Sequence, residues 1–447
     1  MQTENKITSQ VNTFGGISFV MAKMKQLDVA ELFDTMLGTR VPQARYSYSD
    51  VLLGWVYCNL CGAKRIEDIY TENLHGAFKT IPIANLCSPD SVARIFKRFA
   101  TPTEKHINRD SKIEHEFNTN QLLNDLLLKF SKTLGVLNET EQYLIDYDAT
   151  TVPVEKFDAK LTYKQFRGYS PGVSFAGKIP VFIEGRNGNT PAAYKVTEAL
   201  QEMYSRLKTH GIKTWGIRMD AASYQQDVIE LLTQQEPPQL FYIRVANTEE
   251  MLSDFKIAKW QSIEIHRRTE EIGSAEFQPF KNKPPFRLVI LRLDKNPTVP
   301  PRANPEYLYR AIITNDMETY RDVNGISQYV RSDLDVVKLY DQRGDAENNF
   351  RDLLNDFNWK RVPFSFLNEN MVFMYVSAMA KCLFEYLIRQ FSEHTHVLKD
   401  KFKLKKFVAY FVRRVSVLWT LNGQTWSFQL LNLKEKFEAL QSWAIRK

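Results

Sequence analysis

Apolar residues recur every three or four positions through the first third of the chain, the spacing of helices that bury one face. Ile17–Leu37 (ISFVMAKMKQLDVAELFDTML) and Ser47–Gly62 (SYSDVLLGWVYCNLCG) both carry it, and Ser49 can cap a helix beginning near Asp50. In Leu86–Ala100 (LCSPDSVARIFKRFA), Ser88 or Asp90 can cap and Pro89 suits the first turn. Val92, Ile95, Phe96 and Phe99 form its apolar stripe, with Arg94, Lys97 and Arg98 off it. The same pattern fits the recognition helix of a helix-turn-helix or an amphipathic helix with a solvated basic face. Residues 1–137 therefore read as mainly helical.

The period shortens near Gln142. The runs QYLIDYDAT, KIPVFIEGR and TWGIRMD are apolar and rich in β-branched or aromatic residues, as strands are. Helical stretches from Pro191 to His210 and from Tyr224 to Gln235 alternate with them, which predicts a mixed α/β layer with carboxylates at strand ends. From 240 to 330 five further strand-like runs follow, separated by the turn segments KNKPPF and DKNPTVPPRANPEY; this reads as a β-rich insertion. Helical spacing returns from Val330, and the chain from Lys401 to Trp419 mixes basic and aromatic residues.

Composition narrows the class. The 447 residues are 44% hydrophobic and 25% charged, enough for a sizeable core, and the formal charge of +7 suits a nucleic-acid partner without requiring one. Four cysteines are too few for a disulfide framework at this length and point to a reducing compartment. Cys58 and Cys61 have zinc-ligand spacing, but they lie within an apolar helix and no second pair follows, so they read as core cysteines. The N-terminus, MQTENKITSQ, carries no apolar signal segment. Lys381 and Glu385 interrupt the most apolar helix, Met371–Ile388, which favours a buried helix over a membrane span. A soluble, intracellular protein without a membrane partner is expected.

The chemistry-bearing signal begins at Asp146 and Asp148. Residues i and i+2 of a strand share a face, so both carboxylates point the same way. Two like charges that close need a cation or donors between them, and a divalent ion with oxygen ligands is one solution. A second strand run ends at Asp220, before Ala221, Ala222 and Ser223. A third acid lies in LYDQRGDAENNFRDLL, where Tyr340, Arg343, Glu347, Arg351 and Leu354 share a face if the helix is continuous. Singly, a strand-end Asp is most often a cap and a Glu between arginines a surface ion pair. The order strand-Asp, strand-Asp, helix-Glu says more.

That order resembles the DDE insertion-sequence transposases of bacteria, whose catalytic domain is RNase H-like and carries a β-rich insertion between the second Asp and the Glu. DYDATTV is similar to the family's first-strand segment. YKQFRGYSPG with EGRNGNTPAA is similar to its Gly-Tyr segment and Arg-Gly-Asn turn. IRMDAASY is similar to its second-Asp strand, and YDQRGDAENNF to its Tyr-x2-Arg-x3-Glu helix.

The resemblance implies an α/β fold, an RNase H-like mixed sheet with flanking helices. It divides into a helical DNA-binding region (1–137), a catalytic core (138–239), a β-rich insertion (240–330) and the rest of the core with a helical C-terminal region (331–447). It implies that Asp148, Asp220 and Glu347 ligate two Mg²⁺ ions, with Mn²⁺ able to substitute, and that Tyr340 and Arg343 hold DNA near the cleaved end. It further implies two DNA partners, the element's terminal inverted repeats and the target. A homodimer on DNA, working at the nucleoid in a bacterial cytoplasm, completes the expectation.

Lys164, Arg167, Arg186 and Asn189, between the motifs, and Arg94, Lys97 and Arg98 are the further candidate DNA contacts. Asp146 is the reserve ligand, or a hydrogen-bond acceptor at the strand end. Two segments depart from the pattern. Leu354 replaces a lysine, with Arg351 or Lys360 as candidate substitutes, and Ala221-Ala222 replaces Ser-Gly. A transposase-derived DNA-binding protein without catalysis, and a metal-dependent nuclease that cuts without joining, are the competing readings. A structural adaptor would leave the three acidic motifs unexplained.

Overall fold

Helices α1 (Ile17–Gln26) and α2 (Val29–Leu37) divide what the apolar spacing predicts as one helical stretch. The break is at Asp28, whose backbone is left-handed with φ 50°. The computed structural model describes residues 14–445 except 109–110, 247–256, 258–259, 266, 282, 296–305, 322–326, 400 and 423–424. Helix α3 (Tyr48–Leu60) is capped by Ser47 rather than the expected Ser49. The Ser47 hydroxyl accepts from Asp50 N (3.0 Å), and Asp50 accepts in return from Ser47 N (2.9 Å), a reciprocal capping box. Ser49 instead donates its hydroxyl to Asp34 at 2.8 Å, tying α3 to α2.

Short helices α4 (Asp68–Thr71) and α5 (Leu74–Phe78) lead to α6 (Pro89–Phe99), where Ser88 is the cap and Val92, Ile95 and Phe96 are buried, as the stripe predicts. The region to residue 137 is not all helix. Strands β1 (Glu104–Ile107) and β2 (Glu114–Asn118) form a hairpin before α7 (Gln121–Thr133), and β2 joins the main sheet.

The main sheet is the mixed layer expected from the sequence. It continues with β3 (Gln142–Ala149), from whose end a small sheet of β4 (Val152–Pro153), β5 (Lys160–Leu161) and β6 (Arg167–Tyr169) grows. Next come β7 (Gly172–Ala176), β8 (Ile179–Arg186), helix α8 (Val196–Thr209), β9 (Lys213–Met219), helix α9 (Gln226–Thr233) and β10 (Leu240–Arg244). Strands β11 (Gln261–Ile265), β12 (Arg268–Phe277), β13 (Phe286–Asp294) and β14 (Tyr307–Thr314) complete it.

The eleven strands lie in the order β1-β2-β8-β7-β3-β9-β10-β14-β13-β12-β11. Pairing is antiparallel from β8 through β7 to β3 and parallel from β3 through β9 to β10. The β-rich segment from 240 is thus not a sheet of its own. Strand β10 is the third of the parallel set, and β14 to β11 extend the same sheet antiparallel.

A two-stranded ribbon, β15 (Thr319–Arg321) and β16 (Ser327–Tyr329), precedes helices α10 (Asp333–Asp341), α11 (Gly344–Asn355) and α12 (Leu367–His394). Helix α12 is long and apolar enough to cross a membrane, yet protein buries 94% of its most apolar window. It packs on α3, α6, α7 and β8, with Phe373 against Trp55 and Phe96. Each fully buried aromatic or leucine there contributes roughly 2 kcal/mol. Lys381, buried within α12, is neutralised by Glu385 at 2.9 Å.

After α13 (Leu404–Phe407) the C-terminal region carries a hairpin, β17 (Val417–Asn422) and β18 (Thr425–Leu430), before α14 (Lys434–Ile445). Phe428 packs on Phe19 and the Trp419 indole donates to Ser18 at 3.1 Å, so the end of the chain closes over its beginning. The four cysteines are all buried and unpaired. Burial pushes the Cys87 thiol up to about 11 and the Cys382 thiol to about 12, as core cysteines require.

Candidate active site at the strand ends

The site is built by register. Strands β3 and β9 pair in parallel with Asp146 opposite Arg218 and Tyr147 opposite Met219. One residue further, Asp148 and Asp220 stand together where the two strands end. Crevices at the carboxyl ends of parallel strands are where open α/β sheets bind ligands.

The two aspartates of the first strand have different surroundings. Asp146 is buried and held by Arg218 in a two-pronged ion pair, Nε to Oδ1 at 2.7 Å and Nη2 to Oδ2 at 2.6 Å. The third arm of Arg218 donates to the Leu339 carbonyl at 2.5 Å, which anchors α10 on the sheet. Asp148 is more open. Its Oδ1 accepts from Ala149 N at 2.8 Å, and its Oδ2 meets Arg343 Nη2 at 2.6 Å. Burial pushes its carboxyl up to about 6. Arg343 works against that rise, while the charges of Asp220 and Glu347 add to it. Asp148 therefore feels both other acids of the motif, with Arg343 as the cation against it.

Asp220 caps a single 3-10 turn, Ala221–Ser223, by accepting from Ala222 N at 3.1 Å. Glu347 is exposed near the start of α11 and lines a cleft of ≈ 220 Å³ with Arg244, Arg310, Tyr340 and Arg343. The continuous helix that would align Tyr340, Arg343 and Glu347 does not form. Helix α10 ends at Asp341, Gln342 and Arg343 make a turn, and α11 starts at Gly344. The Tyr340 hydroxyl still reaches the sheet, donating to the Met219 carbonyl at 3.1 Å. Helix α11 docks through the Asn349 amide on the Gly177 carbonyl (2.8 Å) and through Phe350 on Phe175.

The cation candidates separate into three groups. Arg186 is a correction. It is 0% exposed, and its guanidinium is occupied by Glu184 (2.6 and 2.9 Å), the Tyr147 hydroxyl (2.9 Å) and the carbonyls of Pro191, Ala192 and Tyr194. A buried, fully engaged guanidinium has nothing left for DNA, so Arg186 ties the turn to the sheet. Lys164 and Arg167 are exposed on the small sheet that grows from β3, and Arg167 donates to the Lys156 and Phe157 carbonyls, at 3.3 Å each. Asn189 is half-buried and donates to the Glu114 carbonyl at 3.0 Å.

Arg94, Lys97 and Arg98 form the exposed face of α6. Their partners are Ser91 and Tyr48 of the N-terminal helices and Phe364 and Glu369 around the start of α12, not the acidic edge. Leu354 packs on the core, while Arg351 is exposed and lines a neighbouring cleft with Lys178 and Lys403. Lys360 is exposed and bonds Asn355 at 3.1 Å. Periodicity missed Arg218, Arg310 and Arg244. The signal for Arg244 was a charged residue interrupting the apolar run LFYIRVA.

Carboxylate oxygens suit a hard divalent cation, and the mutual repulsion at Asp148 is what such an ion relieves. The donor chemistry therefore fits the ion the family implies. Among the described residues, however, no three His, Cys, Asp or Glu side chains already stand close enough to hold a metal together. In this structure the cation against Asp148 is the Arg343 guanidinium, at 2.6 Å.

The edge thus combines a mixed sheet, acids at the ends of two adjacent parallel strands and a third acid on a helix beside them. Residues 5–406 match the family model described as transposase DDE domain group 1, and the chain belongs to that transposase family. Members of this family are enzymes of DNA phosphoryl transfer. A comparison with curated proteins gives no match. Among solved structures the chain is similar to piggyBac transposase in a synaptic complex with hairpin DNA. Identity is 10%, 89% of this chain and 79% of that chain are covered, and the TM-score is 0.39.

Proposed function

We propose that this transposase binds the terminal inverted repeats of a bacterial insertion sequence in the cytoplasm, cuts DNA there and joins the freed ends to target DNA. Strand order supports an RNase H-like core: β8, β7 and β3 are antiparallel, then β9 and β10 follow β3 in parallel. The observation that carries the proposal is the Asp148–Arg343 contact, which brings the Tyr-x2-Arg-x3-Glu segment against the first strand's acid.

In this proposal Asp148, Asp220 and Glu347 hold two Mg²⁺ or Mn²⁺ ions. When bound, the ions supply an activated water or 3′-hydroxyl and a counter-charge for the leaving oxygen. The chain's own part is positioning. Arg343 releases Asp148 and turns to a DNA phosphate, for which a guanidinium fork is well shaped. Tyr340, fixed on the end of β9, borders the path of the strand. Lys164, Arg167, Asn189 and Arg351 extend the backbone contacts, and Arg94, Lys97 and Arg98 of α6 bind DNA away from the chemistry. Asp146 is support, not a ligand. Two ends must be brought together, so a homodimer on DNA is part of the proposal.

The test is cleavage and joining of a duplex bearing the terminal repeat, with Mg²⁺ or Mn²⁺ present. D148N, D220N and E347Q are each expected to lose at least about a hundredfold in cleavage, on the scale of removing a single stabilising group from an active site. Retained cleavage in all three would overturn the assignment. Cutting without any joined product would make the protein a nuclease.

A further inference from the structure

The acidic edge has a third strand. Strands β9 and β10 pair with Tyr242 opposite Arg218 and Ile243 opposite Met219. One residue on, Arg244 stands beside Asp220 as Asp220 stands beside Asp148. Three neighbouring parallel strands therefore end in one row: Asp148, Asp220, Arg244. The row beneath it, Asp146, Arg218 and Tyr242, is structural: Asp146 and Arg218 are bonded to each other, Arg218 to α10, and Tyr242 to Asp316 and Arg331.

Arg244 is not committed in this way. It is exposed, and among the described residues its guanidinium has no hydrogen-bond or salt-bridge partner. The other two arginines of the cleft are paired. Arg343 is paired with Asp148, and Arg310 with Glu270 (3.1 Å) and Asp341 (3.3 Å). The bland account is a solvated arginine at a strand end. Against it stands the direction of the side chain, which lines the cleft with Tyr340, Arg343 and Glu347 and whose charge is felt at the Tyr340 hydroxyl.

An unneutralised guanidinium in the same row as two carboxylates is poorly explained by folding. The acids do not use it as a partner, and exposed it adds little stability. It is well explained by a polyanion lying along the strand ends, with a planar fork matching two oxygens of one phosphate.

We propose that Arg244 binds a backbone phosphate of the DNA strand held at Asp148 and Asp220, and so positions that strand for cutting or joining. Two strand spacings, about 10 Å, separate its backbone from that of Asp148, so it takes a phosphate beside the reacting one. This inference rests on the proposed transposase function and adds a DNA contact to it.

The experiment uses the full chain and a fluorescein-labelled duplex carrying the terminal repeat. Binding is measured by anisotropy over a salt series without metal, and cleavage is measured with Mg²⁺. R244A is expected to weaken binding about tenfold or more, as for loss of a charge-assisted hydrogen bond, and to lower the slope of log K against log salt by about one. R244K should recover the slope but not the full affinity. K208A, an exposed cation in the last turn of α8 near the opposite end of β9, should match the wild type in both.

Arg244 is exposed, so R244A should unfold at the wild-type urea midpoint. If wild type binds and cleaves while R244A equals it in affinity, slope and cleavage, Arg244 has no such role and the transposase proposal stands. If wild type shows neither salt-dependent binding nor metal-dependent cleavage, both fall.

Discussion

Replacing Asp146 and replacing Asp148 should produce opposite defects, although the two side chains lie two residues apart on one face of β3. Asp146 is 2% exposed and Arg218 6%, and their two short bonds are the only carboxylate neutralisation recorded for that guanidinium among the described residues. D146A strands a buried charge, and breaking such a pair from one side costs about 3–5 kcal/mol. Against a typical total of about 5–15 kcal/mol this is a large fraction. The Arg218–Leu339 bond is then at risk, and with it the seat of α10.

Asp148 is the reverse case. Its charge is disfavoured by its surroundings, so D148A should leave stability within about 1 kcal/mol of wild type or raise it. The assay is urea unfolding followed by tryptophan fluorescence at pH 7.5 in EDTA, alongside cleavage of repeat DNA. D146A should show a strongly lowered midpoint. D148A should show a near wild-type midpoint with cleavage abolished. A D146A protein as stable as wild type but unable to cleave would refute the reasoning and make Asp146 a ligand. The double variant D146L/R218M, which removes both charges, should recover part of the D146A loss, since a buried pair replaced by apolar residues is often near neutral.

Three further outcomes are expected. R186A should lose about 3–5 kcal/mol of stability, because it leaves Glu184 buried and unpaired. R167A and K164A should stay within about 0.5 kcal/mol and instead flatten the salt dependence of DNA binding; an R186A protein of wild-type stability would return Arg186 to the surface cations. The Asp148 carboxyl is raised from 3.8 to about 6, so in metal-free buffer the native state binds the extra proton between those pH values and wild-type stability falls as pH rises through them. D148N lacks this loss and should exceed wild type by up to about 3 kcal/mol above pH 6, converging with it below about pH 4; a gap independent of pH in parallel urea titrations would contradict it. Mn²⁺ at a hundred times its dissociation constant should stabilise wild type by about 2.7 kcal/mol, and D148N, D220N and E347Q should each diminish that gain. Equal gains in all four proteins, read by thermal melts, would place the ion elsewhere.

Much of this architecture was visible in the chain because its signals are local. Alternation of helical and strand-like runs marked the α/β layer, and Asp148 and Asp220 stood out as residues that strands disfavour, placed where strands end. What stayed hidden depends on partners distant in sequence. Asp146 and Asp148 look alike from their own strand. Arg218, on the neighbouring strand, makes one of them structural, and only register supplies that pairing. Arg186 looks like a surface cation in a turn because burial is a property of what packs over it. Strand β1 is polar and almost wholly exposed, so it carries no alternation to betray it.

The break before Gly344 is the most consequential of these. One straight helix across 333–355 would carry Tyr340, Arg343 and Glu347 on one stripe, but the segment instead packs as two helices at two places on the sheet. Helix α10 buries Val336 and Val337 against Tyr242, Leu291 and Ile312, on the β-rich side. Helix α11 sets Phe350 against Phe175 of β7, three strands along the same row from Tyr242. Glycine disfavours helix by roughly 1 kcal/mol relative to alanine, and at Gly344 it marks the place where the axis changes. The turn leaves Arg343 at the junction, where its guanidinium meets Asp148 while Tyr340 stays on Met219. A helical period cannot encode that arrangement, because it requires the period to fail at that point.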